Sequence, residues 1–482
     1  MRPHVKLIFA ASGTAVLFLT SFSGFLLWKA ALVTAGFEAK YLCSGLFVSG
    51  RKPASVLSED LDPSGALYPL RFVDSQIDYD RRTVKSSIKG WAVRKAIFRD
   101  GLGCTLAIGD SEEQIRSVSI VRRDADVHRN KEHETGVWPD GESVDARSLP
   151  PEVDGEKLNA AVDWAFQESD AGSLKKTRAL VVVYDGRIAA ERYAPGFSAE
   201  TPLPGWSMAK SVFAALAGVL IGEGRISLTA DELLPLWLEK QDARRSITLD
   251  NLLHMNSGLA FQENYSYPLS DVAVMLFGTR DMAAFAASKP LVSAPGAKWR
   301  YSSGATVIVS KIIRNTFGKA EMDYLEFPRR ALFDRIGMES ALLEPDSSGT
   351  LVGSSFMFAT ARDWARFGLL CLCDGMWGKN RVLPEGWIQY CTTPAQGSID
   401  KAYGAGFWLQ IPREFRGAEK PNVRVPRDAY HAVGYNGQLI SIIPSRKLVV
   451  VRLGLTRTYG AWDQEELINR ILGAIHISSS GQ

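Results

Sequence analysis

Histidine and cysteine are scarce in this 482-residue chain, which has six of the first and five of the second. No His-Glu-x-x-His run occurs. The one close cysteine pair, Cys371 and Cys373, has C-x-C spacing with no histidine beside it, so the residues do not compose a zinc site. A phosphate loop and a dinucleotide fingerprint are missing too, and nothing in the sequence calls for a metal or organic cofactor. Charge of one sign is not in excess: 56 basic against 53 acidic residues leave a net +3. With no long basic run interleaved with aromatics, a nucleic-acid partner is not expected. Glycine and proline, at 42 and 22 residues, are too few and too scattered for a collagen-like or low-complexity chain, and no internal repeat is visible.

What is present is an ordinary globular balance, 46% hydrophobic and 23% charged, on a chain long enough to bury a large core. The amino end stands apart. Leu7 to Trp28 carries no charged residue and follows Arg2 and Lys6. It reads as an export signal or, given its length, an uncleaved signal anchor that leaves the rest of the chain outside the cytoplasm. The small residues Val33-Thr34-Ala35 leave cleavage open. The expected organisation is an anchor or signal over 1–36, an accessory segment over 37–150 and a catalytic domain over 151–482. In an exported protein Cys43 and Cys104 are either a disulfide or two buried thiols.

Secondary-structure signals bracket the catalytic part. Ala179 to Tyr184, the turn Asp185-Gly186 and Arg187 to Tyr193 predict a hairpin. A second is predicted from Gly437 to Leu453 around Pro444-Ser445-Arg446-Lys447, followed by a helix over Gln464 to His476. Mostly helical stretches lie between, among them Ser207–Glu223 and Ala361–Leu372. Strands at both ends around a helical insert imply an antiparallel sheet closed by early and late chain, flanked by helices, with an all-helical lobe.

Ser207-Met208-Ala209-Lys210 opens an apolar helix, placing a hydroxyl and an amine one turn apart on one face. A serine attacks carbonyls poorly until a base takes its proton, and burial disfavours a charged lysine, so Lys210 suits that task. The same spacing at Ser86/Lys89 and Ser173/Lys176 lies among polar or charged neighbours. Tyr301-Ser302-Ser303 is the chain's one Tyr-x-Ser or Tyr-x-Asn. A tyrosinate near a lysine ammonium can accept the serine proton and return it to a leaving group, and Ser303 can hold Lys210 or substrate; a helix-capping tyrosine is the structural alternative. Tyr435-Asn436-Gly437-Gln438 leads into the late strand, where Gly437 allows a close substrate and the Gln438 amide can pair with that of Ser207 as an oxyanion hole. The Gly-x-Ser-x-Gly elbow fails at Ala209. For a histidine-based triad, His254 reads as a satisfied core residue, and His431 is at most a participant in substrate binding.

The order Ser-x-x-Lys, Tyr-x-Ser, glycine-bearing strand resembles the serine β-lactamase and penicillin-binding-protein superfamily. Gly205 to Ser211, Leu252 to Leu259 and Glu263-Asn264-Tyr265 resemble its class C-related branch, with EstB-like esterases and 6-aminohexanoate-dimer hydrolases, over about residues 155–475. The resemblance implies a β-lactamase/transpeptidase-like α/β (α+β) fold. It further implies Ser207 as nucleophile, Lys210 as activator, Tyr301 as proton shuttle, the Ser207 and Gln438 amides as oxyanion hole, and Tyr265 closing over substrate, with Ser303, Asn436 and Gly437 lining the site. Where true β-lactamases carry Lys-Thr-Gly, this chain has Tyr435-Asn436-Gly437, so the cation that grips a substrate carboxylate is missing. The expected activity is therefore hydrolysis of a small ester or amide. The alternatives are a peptidoglycan DD-peptidase and a non-catalytic penicillin-sensor-like receptor.

Overall fold

The computed structural model describes residues 3–120, 136–144, 149–168, 172–416 and 425–476, with side chains from residue 23 onward. The first helix, α1, spans Pro3–Phe47. A four-stranded antiparallel meander follows, β1 (Val73–Asp78), β2 (Thr83–Ile88), β3 (Trp91–Arg99) and β4 (Gly103–Leu106). Next come α2 (Gly155–Phe166), β5 (Thr177–Tyr184) and β6 (Arg187–Tyr193). The helical insert includes α3 (Ala209–Gly222), α4 (Asp271–Gly278), α5 (Ser303–Asn315) and α6 (Ala361–Leu372). The chain closes with β7 (Tyr430–Gly434), β8 (Gln438–Ile443), β9 (Leu448–Gly454) and α7 (Gln464–Gly473).

The central sheet has the order β7-β8-β9-β5-β6, all antiparallel. Its middle is the expected join of late to early chain, with Val449, Val450 and Val451 opposite Val183, Val182 and Val181. Because side chains alternate along a strand, the continuous apolar runs feed two separate cores. Val181, Val183, Val449 and Val451 pack with Trp364 and Phe367 of α6 and the helical lobe. Leu180, Val182, Leu448 and Val450 pack with Leu158 and Val162 of α2 and Leu467, Ile468 and Ile471 of α7. Helix α3 is apolar all round and buried along nearly its whole length, as the axis of the helical lobe must be.

The second half of α1 is part of this body. Val33, Ala35, Ala39, Leu42 and Cys43 are buried against the meander and α4. Cys43 and Cys104 form a disulfide between α1 and β4. Beside it the buried Lys40 ammonium donates to Glu344, whose carboxylate also accepts from the Ser44 hydroxyl at 2.8 Å and the Cys104 amide at 2.7 Å. Among the described residues no helix is long and apolar enough to cross a membrane, and most of the stretch Leu7 to Trp28 falls on residues whose side chains lie outside that description. The charge-rich stretch 124–156 is likewise only partly within it.

Both histidines singled out in the sequence serve the fold. His431, on β7, faces Ser441 Oγ at 2.9 Å, and Gln464 of α7 donates to the same hydroxyl at 3.0 Å. Burial pushes its imidazole down to about 3, with the Arg416 charge adding to the effect. The unfolded chain therefore binds a proton that the folded chain refuses between the ordinary histidine range and about pH 3, and stability contributed by neutral His431 is lost on acidification through that window. His431→Gln is expected to flatten the fall in unfolding free energy there, by up to about 1.4 kcal/mol per pH unit. Denaturant titrations at several pH values check this; an unchanged slope contradicts it. His254 differs from its expectation as a satisfied core residue. It follows the short helix Leu249–Leu253, its Nδ1 meets Asp250 at 3.0 Å, and its Nε2 is buried without a partner.

Candidate active site

Ser207 sits in a single 3-10 turn, Trp206–Met208, that feeds into α3. Trp206 adopts a left-handed φ of 50°, which for a bulky residue costs roughly 1–3 kcal/mol and persists only where its surroundings hold it. They do so here. The Trp206 indole donates to the Tyr41 hydroxyl of α1 at 3.1 Å and packs edge-on against Tyr265 and Tyr435. From below, the end of β7 presses on the same turn: a Cβ at Gly434 would lie 2.1 Å from the Gly205 carbonyl oxygen.

One helical turn on, the buried Lys210 Nζ lies 2.9 Å from Ser207 Oγ, 3.1 Å from Ser303 Oγ and 2.9 Å from the Ser354 carbonyl oxygen. Burial pulls its pKa down to about 8, and the negative charge of Glu263 opposes that fall. Glu263 is half-buried and acts across Ser303, accepting from the Ser303 hydroxyl at 2.5 Å and the Ser303 amide at 2.8 Å. Burial raises its carboxyl pKa, with Lys210 pulling the other way. Ser303 thus receives from Lys210 and donates to Glu263, fixing the amine in its direction.

Tyr301 lies just before Ser302, the residue whose hydroxyl caps α5 by accepting from the Ala305 amide at 3.1 Å. The Lys210 Nζ is 5.0 Å from the Tyr301 ring centroid, and the ring packs against Trp408 and Tyr403. The phenol interacts with the Ser207 hydroxyl, but burial raises its pKa well above 10, reinforced by Tyr403 and Glu263. Of the two forms a proton shuttle passes through, burial favours the neutral phenol of Tyr301 over the tyrosinate, and Lys210 is the group near neutrality.

The other candidates form the rim. Tyr265 stacks on Tyr435 with centroids 4.8 Å apart. Its hydroxyl is directed at Ser303 and Ser355 yet is buried without a hydrogen bond of normal geometry. Asn436, at φ 60°, accepts from the Thr456 amide at 2.9 Å. Gly437 has φ 79°, and a Cβ there would lie 2.3 Å from Arg452 Nη1, so the tight turn itself requires glycine. Arg452 holds the turn by donating to the Gly437 carbonyl at 2.7 Å. The Gln438 side chain is spent on Gly454, donating to its carbonyl at 2.6 Å and accepting from its amide at 3.0 Å. Among the described residues, no group of three or more His, Cys, Asp or Glu is placed to hold a metal ion.

Ser207, Lys210, Tyr301 and Ser303, all singled out in the sequence, lie together as neighbours. Sequence reasoning missed the part Glu263 plays, the Ser354 carbonyl and the Tyr41 brace. Glu263 stands two residues before Tyr265 in a loop, where a half-buried acid leaves no periodic signature.

An antiparallel sheet covered by helices on both faces, with a Ser-x-x-Lys helix at the edge of a helical insert, is the architecture of β-lactamase/transpeptidase-fold hydrolases. The family model described as Beta-lactamase matches residues 174–473, and the chain belongs to that family. A 6-aminohexanoate-dimer hydrolase of Paenarthrobacter ureafaciens is 25% identical over 303 residues, 58% of this chain and 72% of that protein. Two solved structures share the fold. A Bacillus anthracis protein assigned as a 6-aminohexanoate-dimer hydrolase has TM-score 0.51 and 24% identity, over 62% of this chain and 78% of that one. A family VIII carboxylesterase has TM-score 0.51 and 16% identity, over 69% of this chain and 98% of that one.

Proposed function

We propose that the protein is a serine hydrolase of small esters or amides, linear amides included, that works through an acyl-enzyme on Ser207. The observation that carries this reading is the 2.9 Å approach of the buried Lys210 amine to Ser207 Oγ, with burial bringing the amine to about 8. In its neutral form Lys210 keeps two N–H groups for Ser303 and the Ser354 carbonyl and offers its lone pair to the Ser207 proton. As Oγ attacks the carbonyl, the tetrahedral oxyanion rests on the main-chain amides of Ser207 and Gln438. The protonated Tyr301 phenol passes a proton to the departing alcohol or amine and recovers it from Ser207 by way of Lys210. Water then takes the leaving group's place and, with the same base, frees the acid and Ser207.

An amide or ester substrate accords with a relative that hydrolyses the 6-aminohexanoate dimer and a carboxylesterase neighbour, and with Tyr435 standing where a substrate-gripping lysine would be. The reading places the catalytic body outside the cytoplasm, tethered through Leu7 to Trp28. The Cys43–Cys104 disulfide supports an oxidising compartment, and buried Ala35 supports an uncleaved helix. Recovery of the native protein in carbonate-washed membranes is the expected result; recovery in the soluble fraction contradicts the tether.

The catalytic reading is tested by the pH dependence of kcat/KM on a chromogenic short-chain ester and an anilide. Because the neutral amine is the active form, the rate rises with pH through about 8 and levels above it. A profile flat from about pH 6 to pH 10 contradicts Lys210 as base. Glu263→Gln removes the charge that holds the Lys210 pKa up, so the rising limb moves to lower pH. A limb that stays in place contradicts that coupling.

A further inference from the structure

Between α1 and the aromatic residues next to Ser207 lies a cavity of about 360 Å³, within the size range of small-molecule sites. Its outer walls are mainly apolar, with Val33 and Phe37 from α1, Leu67 and Leu70 from the 3-10 segment Gly65–Phe72, and Phe277 from α4, interrupted by the hydroxyls of Thr34 and Ser64. Its inner end is Trp206, Tyr265 and Tyr435, the three rings packed on one another around the nucleophile turn. Trp206 is bonded to Ser207, and Tyr265 reaches from this cavity to the Ser303 side of the Lys210 cluster. Ser207 itself does not line the cavity; its chain neighbour Trp206 does, which sets the cavity one residue from Ser207.

The charges at the cavity edge are already engaged. Asp60 is held by Arg178 at 2.7 and 2.9 Å and by Arg51. Arg457 donates to the carbonyl oxygens of Glu59 at 2.8 Å and Asp60 at 2.6 Å. With both spent on the protein, the described lining residues offer no free charge to answer a substrate ammonium or carboxylate. It suits a methylene chain, for which removal from water is the driving force. The walls from α1 and Gly65–Phe72 also lie outside the residues matched by the family model, so the feature belongs to this chain's amino-terminal part.

We propose that this cavity is the chain-binding subsite of the enzyme, and that its substrates are esters or amides carrying an apolar chain of medium length. The proposal rests on the hydrolase reading above and names the substrate class for the same nucleophile. Each methylene moved from water into the cavity raises kcat/KM about three- to fourfold, so four of them give on the order of a hundredfold.

The test compares p-nitrophenyl butyrate and octanoate with the full chain and two variants that fill the cavity from different walls, Thr34→Trp and Leu67→Trp. The octanoate-to-butyrate ratio of kcat/KM is read in one buffer and lipid environment, so partitioning of the ester cancels between proteins. The expected ratio is on the order of a hundred for the native chain, falling at least about tenfold in each variant that folds by circular dichroism. A second readout needs no turnover: 11-dansylaminoundecanoic acid should bind Ser207→Ala saturably, and binding should weaken when Leu67→Trp is added. Ester turnover with a ratio near one and no saturable binding overturns the subsite while leaving the hydrolase reading standing. Saturable binding with no turnover of either ester, and no acylation of Ser207, supports the subsite and overturns the hydrolase reading.

Discussion

Ser207→Ala is expected to lower kcat/KM on a short-chain ester by at least about 10⁴-fold while leaving the thermal transition nearly in place. The hydroxyl is the atom that would form the covalent bond, and nothing else in the pocket is placed to replace it: the Tyr301 phenol is held protonated by burial, and Ser303 is committed to Glu263. The expected effect on folding is small because only one oxygen is lost. Lys210 keeps Ser303 and the Ser354 carbonyl as partners. Steady-state kinetics and a melting curve on the same preparation check both halves. Activity within tenfold of the native protein would remove Ser207 from the reaction.

The largest expected effect on stability is remote from Ser207. Lys40→Met should destabilise the protein by about 3–5 kcal/mol, because it strands the fully buried Glu344 carboxylate without its cation. Adding Glu344→Gln removes the stranded charge while keeping an acceptor for Ser44 and the Cys104 amide, so the double variant should recover more than half of the loss. Denaturant unfolding measures both, and a Lys40→Met cost below about 1 kcal/mol contradicts a buried pair of this kind. The result bears on activity as well. The pair pins the helix that supplies Tyr41, the hydrogen-bond partner of the strained Trp206, so Lys40→Met should also weaken turnover by loosening the Ser207 turn.

Local patterns carried much of this structure. The valine runs of β5 and β9, the Asp185-Gly186 turn and the Ser-x-x-Lys helix each express their geometry within a few residues, and each is found where the pattern put it. The two-core arrangement follows from the same runs, since a strand apolar at every position must be covered on both faces. What the sequence hid depends on contacts between distant residues. Residues 37–150 read only as an accessory segment because the docking of α1 and the meander rests on Lys40 meeting Glu344, Cys43 meeting Cys104 and Tyr41 meeting Trp206. The ionisation of Tyr301 is set by distant contacts too: proximity to a lysine favours a tyrosinate, but the Tyr403 and Trp408 rings pack against the phenol, and desolvation prevails. His254 is buried as its apolar neighbourhood suggests, but that neighbourhood says nothing of its hydrogen bonds, and one ring nitrogen is left without a partner.

The covalent intermediate offers the most direct test. A chromogenic ester mixed with the native enzyme and quenched in acid during turnover should leave the acyl group on the peptide containing Ser207, seen by mass spectrometry as that group's added mass, and absent from Ser207→Ala. Turnover with no acylated peptide, or with the acyl group on another residue, would contradict the account.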